Sequence, residues 1–466
     1  PGLLKRHTFI AGSAERVLQS KAEADKASSR RKAFAHRRVT RVSWFRLLHR
    51  LGHEVRETPF VHSGTFRVEC PAIRSLLDGS PGIRAMERPM ATQRILDFLA
   101  TRRPNGPCLV VDLDVVADNY RAFEKALPDS RIYYAVKANP APEILRLLAS
   151  LGSSFDTASV AEIEMAMDAG APASRISFGN TIKKERDIAR AFELGIRLFA
   201  VDCAEEVEKV ARAAPGARVF CRVLTDGEGA EWPLSRKFGC VPAMAIDVLR
   251  KAKALGLDAY GVSFHVGSQQ THLDAWDRAL ADARRVFSTL ADEGIVLKMV
   301  NMGGGFPTRY LRDVPAAEAY GQAIFSALRK HFGNRIPETI IEPGRGMVGN
   351  AGVIKSEVVL ISKKAEEDEL RWVYLDIGKF GGLAETMDEA IRYPIVTARD
   401  RDEKGACVLA GPTCDSADVM YEKTPYPLPL SLTIGDEVLI EGTGAYTTTY
   451  ASVAFNGFEP LRSYVI

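Results

Sequence analysis

Between residues 130 and 342, short apolar runs rich in β-branched and aromatic residues alternate with segments of helical period, and Gly or Pro marks most junctions. The strand-like runs cover 132–136, 154–157, 176–179, 197–201, 219–223, 261–266, 299–302 and 339–342. Seven amphipathic segments separate them. Those at 161–169, 184–194 and 273–293 are each closed by the glycine that a helix C-terminus favours: Gly170, Gly195 and Gly294. Eight strands alternating with helices over about 240 residues fit an α/β fold of the (β/α)8 TIM-barrel type, typically about 250 residues long. A doubly wound open sheet is the structural alternative, but it does not call for eight strands in one unbroken alternation. After residue 352 the period changes to strand-like runs joined by turn-rich loops, such as 353–361, 371–376 and 436–441, which predicts a C-terminal all-β domain. The expected organisation is a basic leader over 1–89, a lead-in helix and strand over 90–114 joining the β domain, a barrel over 115–352 and the β domain over 353–466.

Charge separates the leader from the rest. Of 62 Lys+Arg and 59 Asp+Glu, 18 and 8 fall in residues 1–89, so a net +10 leader precedes a net −7 body. An acidic body argues against nucleic acid as its partner, because phosphate binding needs clustered positive charge. The leader's Arg30, Arg31, Lys32, Arg37, Arg38 and Arg41 would suit a transit peptide or a nucleic-acid arm. A poorly ordered, dispensable segment outside the fold is the favoured reading, since Met90 directly precedes a plausible first helix. Seven cysteines without CxxC pairs point to a reducing, cytoplasmic setting and to no metal site. No apolar run reaches the eighteen or so residues that a membrane span needs, so no membrane is expected.

Barrel enzymes carry their chemistry at the C-terminal ends of the strands. Here those ends deliver Lys137, Asp156, Asn180, Arg222, His265, Gly303-Gly304-Gly305 and Glu342, followed by Pro343-Gly344-Arg345. Lys137 is either a salt-bridged interior lysine or an amine nucleophile that forms a Schiff base. The triple glycine is either a tight turn or a loop whose N–H groups approach a phosphate, with the planar fork of Arg345 beside it. His265 is either a satisfied core histidine or a flat surface for a planar ring. Glu342 either pairs with an Arg or holds a pyridine nitrogen protonated, making the ring an electron sink. Lysine, phosphate loop, flat neighbour and buried acid together specify pyridoxal phosphate, which no one of them would.

Six motifs then carry a family resemblance: TyrTyrAlaValLysAlaAsn (133–139), PheHisValGlySer (264–268), GlyGlyGlyPhePro (303–307), GluProGlyArg (342–345), GlyProThrCysAspSerAlaAsp (411–418) and GlyThrGlyAlaTyr (442–446). From about residue 107 onward the chain resembles the fold-type III pyridoxal-phosphate-dependent decarboxylases of ornithine, lysine, diaminopimelate and arginine, in particular the ornithine branch. The resemblance implies that Lys137 carries the Schiff base, that Asp156 and Arg222 lie in the cofactor pocket and that His265 stacks on the pyridoxal ring. It gives the phosphate to Ser268, Gly305, Arg345 and Tyr446 and the pyridine nitrogen to Glu342, with Gly303 and Gly304 also expected to bind the cofactor. It implies a homodimer with shared sites, in which Cys414 of a second copy manages protonation after CO2 departs and Asp415 binds the distal amine of the substrate. Lys237, Asp418 and Gly444 fall at interface positions.

One stretch departs from the family. Where many eukaryotic members have a TyrAspHis segment that supplies a second acid toward the distal amine, residues 381–391 offer Glu385, Asp388 and Glu389, with Asp388 the expected substrate contact. The choice among them stays open. Ornithine, giving putrescine for polyamine biosynthesis, is the favoured substrate, and dual use of lysine and ornithine is the alternative. Diaminopimelate decarboxylases typically have Glu after the Cys, where this chain has Asp415. Alanine racemases set an Arg against the pyridine nitrogen, where this chain has Glu342. A non-catalytic homologue acting as a regulator would be expected to lose the Lys or the phosphate contacts, and all are present.

Overall fold

The computed structural model describes residues 90–232 and 236–466, and the basic segment 1–89 lies outside the described residues. The described chain enters through a helix, Gln93–Arg102, and strand β1 (Cys108–Val111). Asp112 then caps the helix Leu113–Ala126, its carboxylate accepting the Asp114 N–H at 3.0 Å. This cap ends the strand at Val111, short of the 114 expected from the apolar run.

The barrel follows. Strands β2 (Ser130–Ala135), β3 (Ser154–Thr157), β4 (Ile176–Phe178), β5 (Leu198–Val201) and β6 (Arg218–Arg222) lead to a short strand β7 (Ala230–Trp232), then β8 (Asp258–Ser263), β9 (Ser268–Gln270), β10 (Met299–Asn301) and β11 (Glu338–Ile341). All but β7 and β9 pair in parallel into a closed eight-stranded barrel with helices between them, which is the TIM-type architecture read from the alternation. Strands β7 and β9 form an antiparallel ribbon beyond the C-terminal ends of β6 and β8.

The second sheet is mixed and eight-stranded. It contains β12 (Gly352–Ser362), β13 (Arg371–Leu375), β14 (Ile395–Thr397), β15 (Lys404–Ala410), β16 (Val419–Pro429), β17 (Glu437–Glu441) and β18 (Arg462–Val465), in the order β14-β17-β12-β13-β15-β16. β1 adds to it, antiparallel to β12 and parallel to β18.

Alternation along the barrel strands separates two apolar layers. Tyr133, Ala200, Phe220, Tyr260, Met299 and Ile340 pack together inside the barrel, whereas Tyr134, Phe155, Phe199, Val219, Val262 and Ile341 join the larger core beneath the helices. Two residues further along each strand, the interior face presents Ala135, Arg222, Asn301 and Glu342 above this apolar floor. In β8 the register slips between Ala259 and Gly261, so parity changes there. Val262 and Phe264 therefore face the helices, and Ser263 and His265 face inward.

The loop after β2 is pinned by the β domain. Asn139 donates its side-chain amide to the Gly444 carbonyl at 3.0 Å, and the Tyr446 N–H donates to the Ala138 carbonyl at 2.8 Å. Gly444, expected at a subunit interface, is instead buried within the chain: a Cβ there would lie 1.9 Å from the Val348 carbonyl oxygen and 2.9 Å from the Gly352 nitrogen. Gly444→Ala should therefore destabilise the fold by about 1–3 kcal/mol through overpacking. A denaturant midpoint equal to that of the unsubstituted protein would contradict this close approach.

Candidate active site

The interior layer above the barrel floor opens into a cavity of about 360 Å³ lined by Lys137, Arg222, His265, Gly304, Glu342 and Arg345 among others. They stand at or just beyond the ends of β2, β6, β8, β10 and β11, with Glu342 and Arg345 both after β11, and for Arg222 and Glu342 the period of two carries the floor's inward parity one step further up. Lys137 sits in a single 3-10 turn directly after β2. Burial opposes the charge on its amine, but Tyr446, Asp156 and Glu342 outweigh burial and Arg222 and move its pKa up.

Asp156, next to last in β3, accepts the Ser177 hydroxyl at 3.2 Å. Burial, with Glu342 adding to it, pushes this carboxyl well above the usual range despite Lys137. The carboxylate also explains the glycine at the end of β4, since a Cβ on Gly179 would lie 1.8 Å from its Oδ1. Arg222 is shifted down by burial, against the pull of Glu342 and Asp156. Glu342 takes its orientation from Asn301, whose amide donates to Oε1 while its own Oδ1 accepts the Gly303 N–H at 2.9 Å. One buried side chain thus ties the carboxylate to the glycine loop.

The glycine loop is a cradle that side chains would fill. A Cβ on Gly304 would lie 2.6 Å from the Glu342 carbonyl and 3.4 Å from His265 Nε2, and one on Gly305, at φ 106°, would lie 2.5 Å from the Gly267 carbonyl. Beside it Arg345 is buried, with Nε and Nη2 on the Ser268 hydroxyl at 3.3 and 3.2 Å. The Tyr446 ring lies 5.0 Å from its guanidinium carbon. Tyr446 itself is held at φ 57°, a strained conformation for an aromatic residue. A cradle of backbone and guanidinium donors, an amine, an imidazole face and a carboxylate around one cavity suits a phosphorylated pyridine aldehyde.

The other expected residues are placed differently. Cys414 and Asp415 are exposed and do not line this chain's cavity; the Cys414 N–H donates to Asn456 Oδ1 at 2.9 Å, and Asp415 Oδ1 accepts the Ala417 N–H at 2.8 Å. Lys237 is exposed, its ammonium 4.8 Å from the ring centre of Phe238, a cavity residue. Asp418, expected to reach across an interface, is buried, and its carboxylate is taken up by the Lys379 N–H, the Thr413 N–H and the Thr413 hydroxyl at 2.8, 3.1 and 2.7 Å. Asp388, expected to contact substrate, has an 87% exposed side chain and pairs with Lys423 at 3.2 Å. The reason is local. Asp388 and Glu389 adopt left-handed φ of 53° and 60°, which turns the chain so that Asp388 points away from Glu385. Glu389 instead accepts the N–H groups of Glu422, Lys423 and Thr424. Of the three acids, Glu385 is the one that lines the cavity.

Asn301 and Tyr310 were missed in the sequence. The signal for Asn301 was a polar residue closing a buried strand; Tyr310 has none, because a loop brings it in.

Burial, then Arg222 and Lys137, hold the His265 imidazole well below its ordinary pKa, and the Gly267 N–H donates to Nδ1 at 3.0 Å, which leaves the proton of the neutral ring on Nε2. The unfolded chain takes up a proton here that the folded protein does not, so this site weakens folding as pH drops below about 6.5. NMR of the His265 ring should show no titration around that pH; a midpoint there would refute the neutral imidazole.

Residues 113–349 match the family model described as "Pyridoxal-dependent decarboxylase, pyridoxal binding domain". The chain is 37% identical to the lysine/ornithine decarboxylase of Selenomonas ruminantium over 79% of this chain and 91% of that protein. It is 34% identical to antizyme inhibitor 2 of Xenopus laevis (79% and 82% covered) and to the ornithine decarboxylase of Mus musculus (77% and 80% covered). A crystal structure of lysine/ornithine decarboxylase from Vibrio vulnificus complexed with cadaverine superposes with a TM-score of 0.72, at 31% identity, over 80% of this chain and 99% of that one.

Proposed function

The chain belongs to the pyridoxal-dependent decarboxylases, and from that premise we propose that it decarboxylates a basic diamino acid, L-ornithine by preference, to give putrescine and CO2 in polyamine biosynthesis. The observation that carries this reading is the convergence of Lys137, His265, Glu342 and Arg345 on one cavity. When bound, pyridoxal phosphate supplies a protonated pyridine ring that accepts the electron pair left as CO2 departs.

The residues divide the remaining work. Lys137 would provide the amine that holds the cofactor. Its neighbours favour the charged amine, so a proton would have to leave Nζ before the amine could react. Glu342, fixed by Asn301, would hold the pyridine nitrogen. His265, being neutral, would offer the ring a flat surface without adding a positive charge. Ser268, Gly303, Gly304, Gly305, Arg345 and Tyr446 would hold the phosphate.

Cys414 and Asp415 serve the site of a second copy, the Cys as proton donor and the Asp as partner of the distal ammonium. Their exposure supports this, as does the apolar surface beside them: Tyr450, Val453 and Phe458 are 46, 87 and 46% exposed in the segment whose Asn456 binds the Cys414 loop. Tyr450 also lines the cavity, so a partner docked there would close its mouth. Among the described residues no helix is long and apolar enough to cross a membrane, and six cysteines are unpaired, as a reducing setting such as the cytoplasm would leave them. The likeness to an antizyme inhibitor brings in a non-catalytic reading, against which stand Lys137 and the intact phosphate contacts.

CO2 release should be fastest on ornithine, slower on lysine and lowest on arginine and diaminopimelate; a preference for diaminopimelate would overturn the assignment. Glu342→Gln should lower kcat by on the order of 10²-fold or more, since a preorganised charge is lost. Inactive Lys137→Ala and Cys414→Ala chains, once mixed and exchanged, should regain roughly a quarter of wild-type activity, because half the dimers are hybrids with one intact site. No recovery with exchange confirmed would exclude shared sites.

A further inference from the structure

Glu385 lines the cavity and is buried, yet it has no part in the function proposed above. It arrives from the β domain, in the 3-10 segment Ala384–Glu389 between β13 and β14, whereas Arg345 follows the last barrel strand. The two meet as a bidentate pair: Oε1 accepts from Nη2 at 2.5 Å and Oε2 from Nη1 at 2.8 Å. Nη1 also donates to the Tyr310 hydroxyl at 2.6 Å. The other edge of the same guanidinium, Nε and Nη2, faces the Ser268 hydroxyl. Every nitrogen of the fork is engaged, one edge toward the β domain and one toward the glycine cradle.

We propose that Glu385 is the positioning residue for Arg345: it holds the far edge of the guanidinium, with Tyr310, so that the near edge is presented to the cofactor phosphate. This rests on the reading of Arg345 as a phosphate contact. The physical grounds are two. A free Arg side chain carries rotamer entropy that anion binding would have to remove, and a fork fixed beforehand binds without that loss. A buried guanidinium stripped of the carboxylate on one edge is also an uncompensated charge, which turns toward whatever acceptor remains. Bare electrostatics predicts the opposite sign, because a carboxylate close to a phosphate repels it. The direction of the effect therefore decides between positioning and repulsion.

The test titrates the full chain, stripped of cofactor, with pyridoxal phosphate and separately with pyridoxal, which lacks the phosphate, following the fluorescence of Trp232 in the cavity wall. Glu385→Ala should weaken pyridoxal phosphate by at least about tenfold and leave pyridoxal within about twofold, and the Arg345→Ala, Glu385→Ala double variant should bind no more weakly than Arg345→Ala alone. The isosteric Glu385→Gln, which keeps one acceptor and the volume, should shift affinity in the same direction if the alanine variant does not fold. Unchanged or tighter binding by either Glu385 variant, an equal loss for pyridoxal, or additivity with Arg345→Ala would each overturn the proposal. If Arg345→Ala itself leaves pyridoxal phosphate binding unchanged, the phosphate reading of Arg345 falls. If it weakens binding and the Glu385 variants do not, only the positioning role falls.

Discussion

Closure of the barrel is the constraint on which the rest of this structure depends. Once eight parallel strands join edge to edge, no strand edge remains and every second side chain must point into a narrow interior. The lower interior is filled by the buried side chains of Tyr133, Phe220, Met299 and Ile340. The next inward position on the same strands comes where the barrel opens, and it holds Arg222, Asn301 and Glu342, with Lys137 two residues beyond the inward-facing Ala135. The site is therefore the continuation of the core by one residue step, and its geometry inherits the rigidity of strand pairing rather than that of loops.

The β domain supplies what the barrel cannot. Three of its contacts reach the site from one side: the Gly444 carbonyl on Asn139, the Tyr446 N–H on the Ala138 carbonyl, and Glu385 on Arg345. The first two hold the turn bearing Lys137, and the third holds the cation next to the glycine cradle. A displacement of the sheet against the barrel would disturb amine and anion sites together, and the close approach of Gly444 to Val348 is what keeps that seam tight.

Strand and helix alternation was legible in the sequence because two periods, 2 and 3.6, are written in residue type, and the functional positions at strand ends follow from the same arithmetic. The eight runs and the residues of Lys137, Arg222, His265, the triple glycine and Glu342 needed nothing more. What the sequence did not reveal depends on backbone sign or on distant packing. Asp388 and Glu385 are three residues apart, as on one face of a helical turn, yet left-handed φ at Asp388 and Glu389 turns one outward. Asp418, given an interface position by the resemblance, is buried with its carboxylate on the N–H groups of Lys379 and Thr413, a contact that no local pattern announces. Tyr310 enters the site through Arg345 alone, a contact between segments that no local pattern encodes.

The charges of the cavity are balanced so that neutral groups stay neutral and charged ones stay charged. Asp156 is driven toward its protonated form by burial and Glu342, and His265 toward its neutral form by burial and its cationic neighbours. Lys137 and Arg345 are shifted the other way, their neighbours outweighing the burial that opposes their charge. On the proposed reading, a pyridoxal ring would find a neutral imidazole for its face, a carboxylate held by Asn301 for its nitrogen and a fixed guanidinium for its phosphate. Each contact favours negative charge at the phosphate end and positive charge at the nitrogen. That polarity is what an electron-accepting pyridine requires, and it is present in the protein before any substrate arrives.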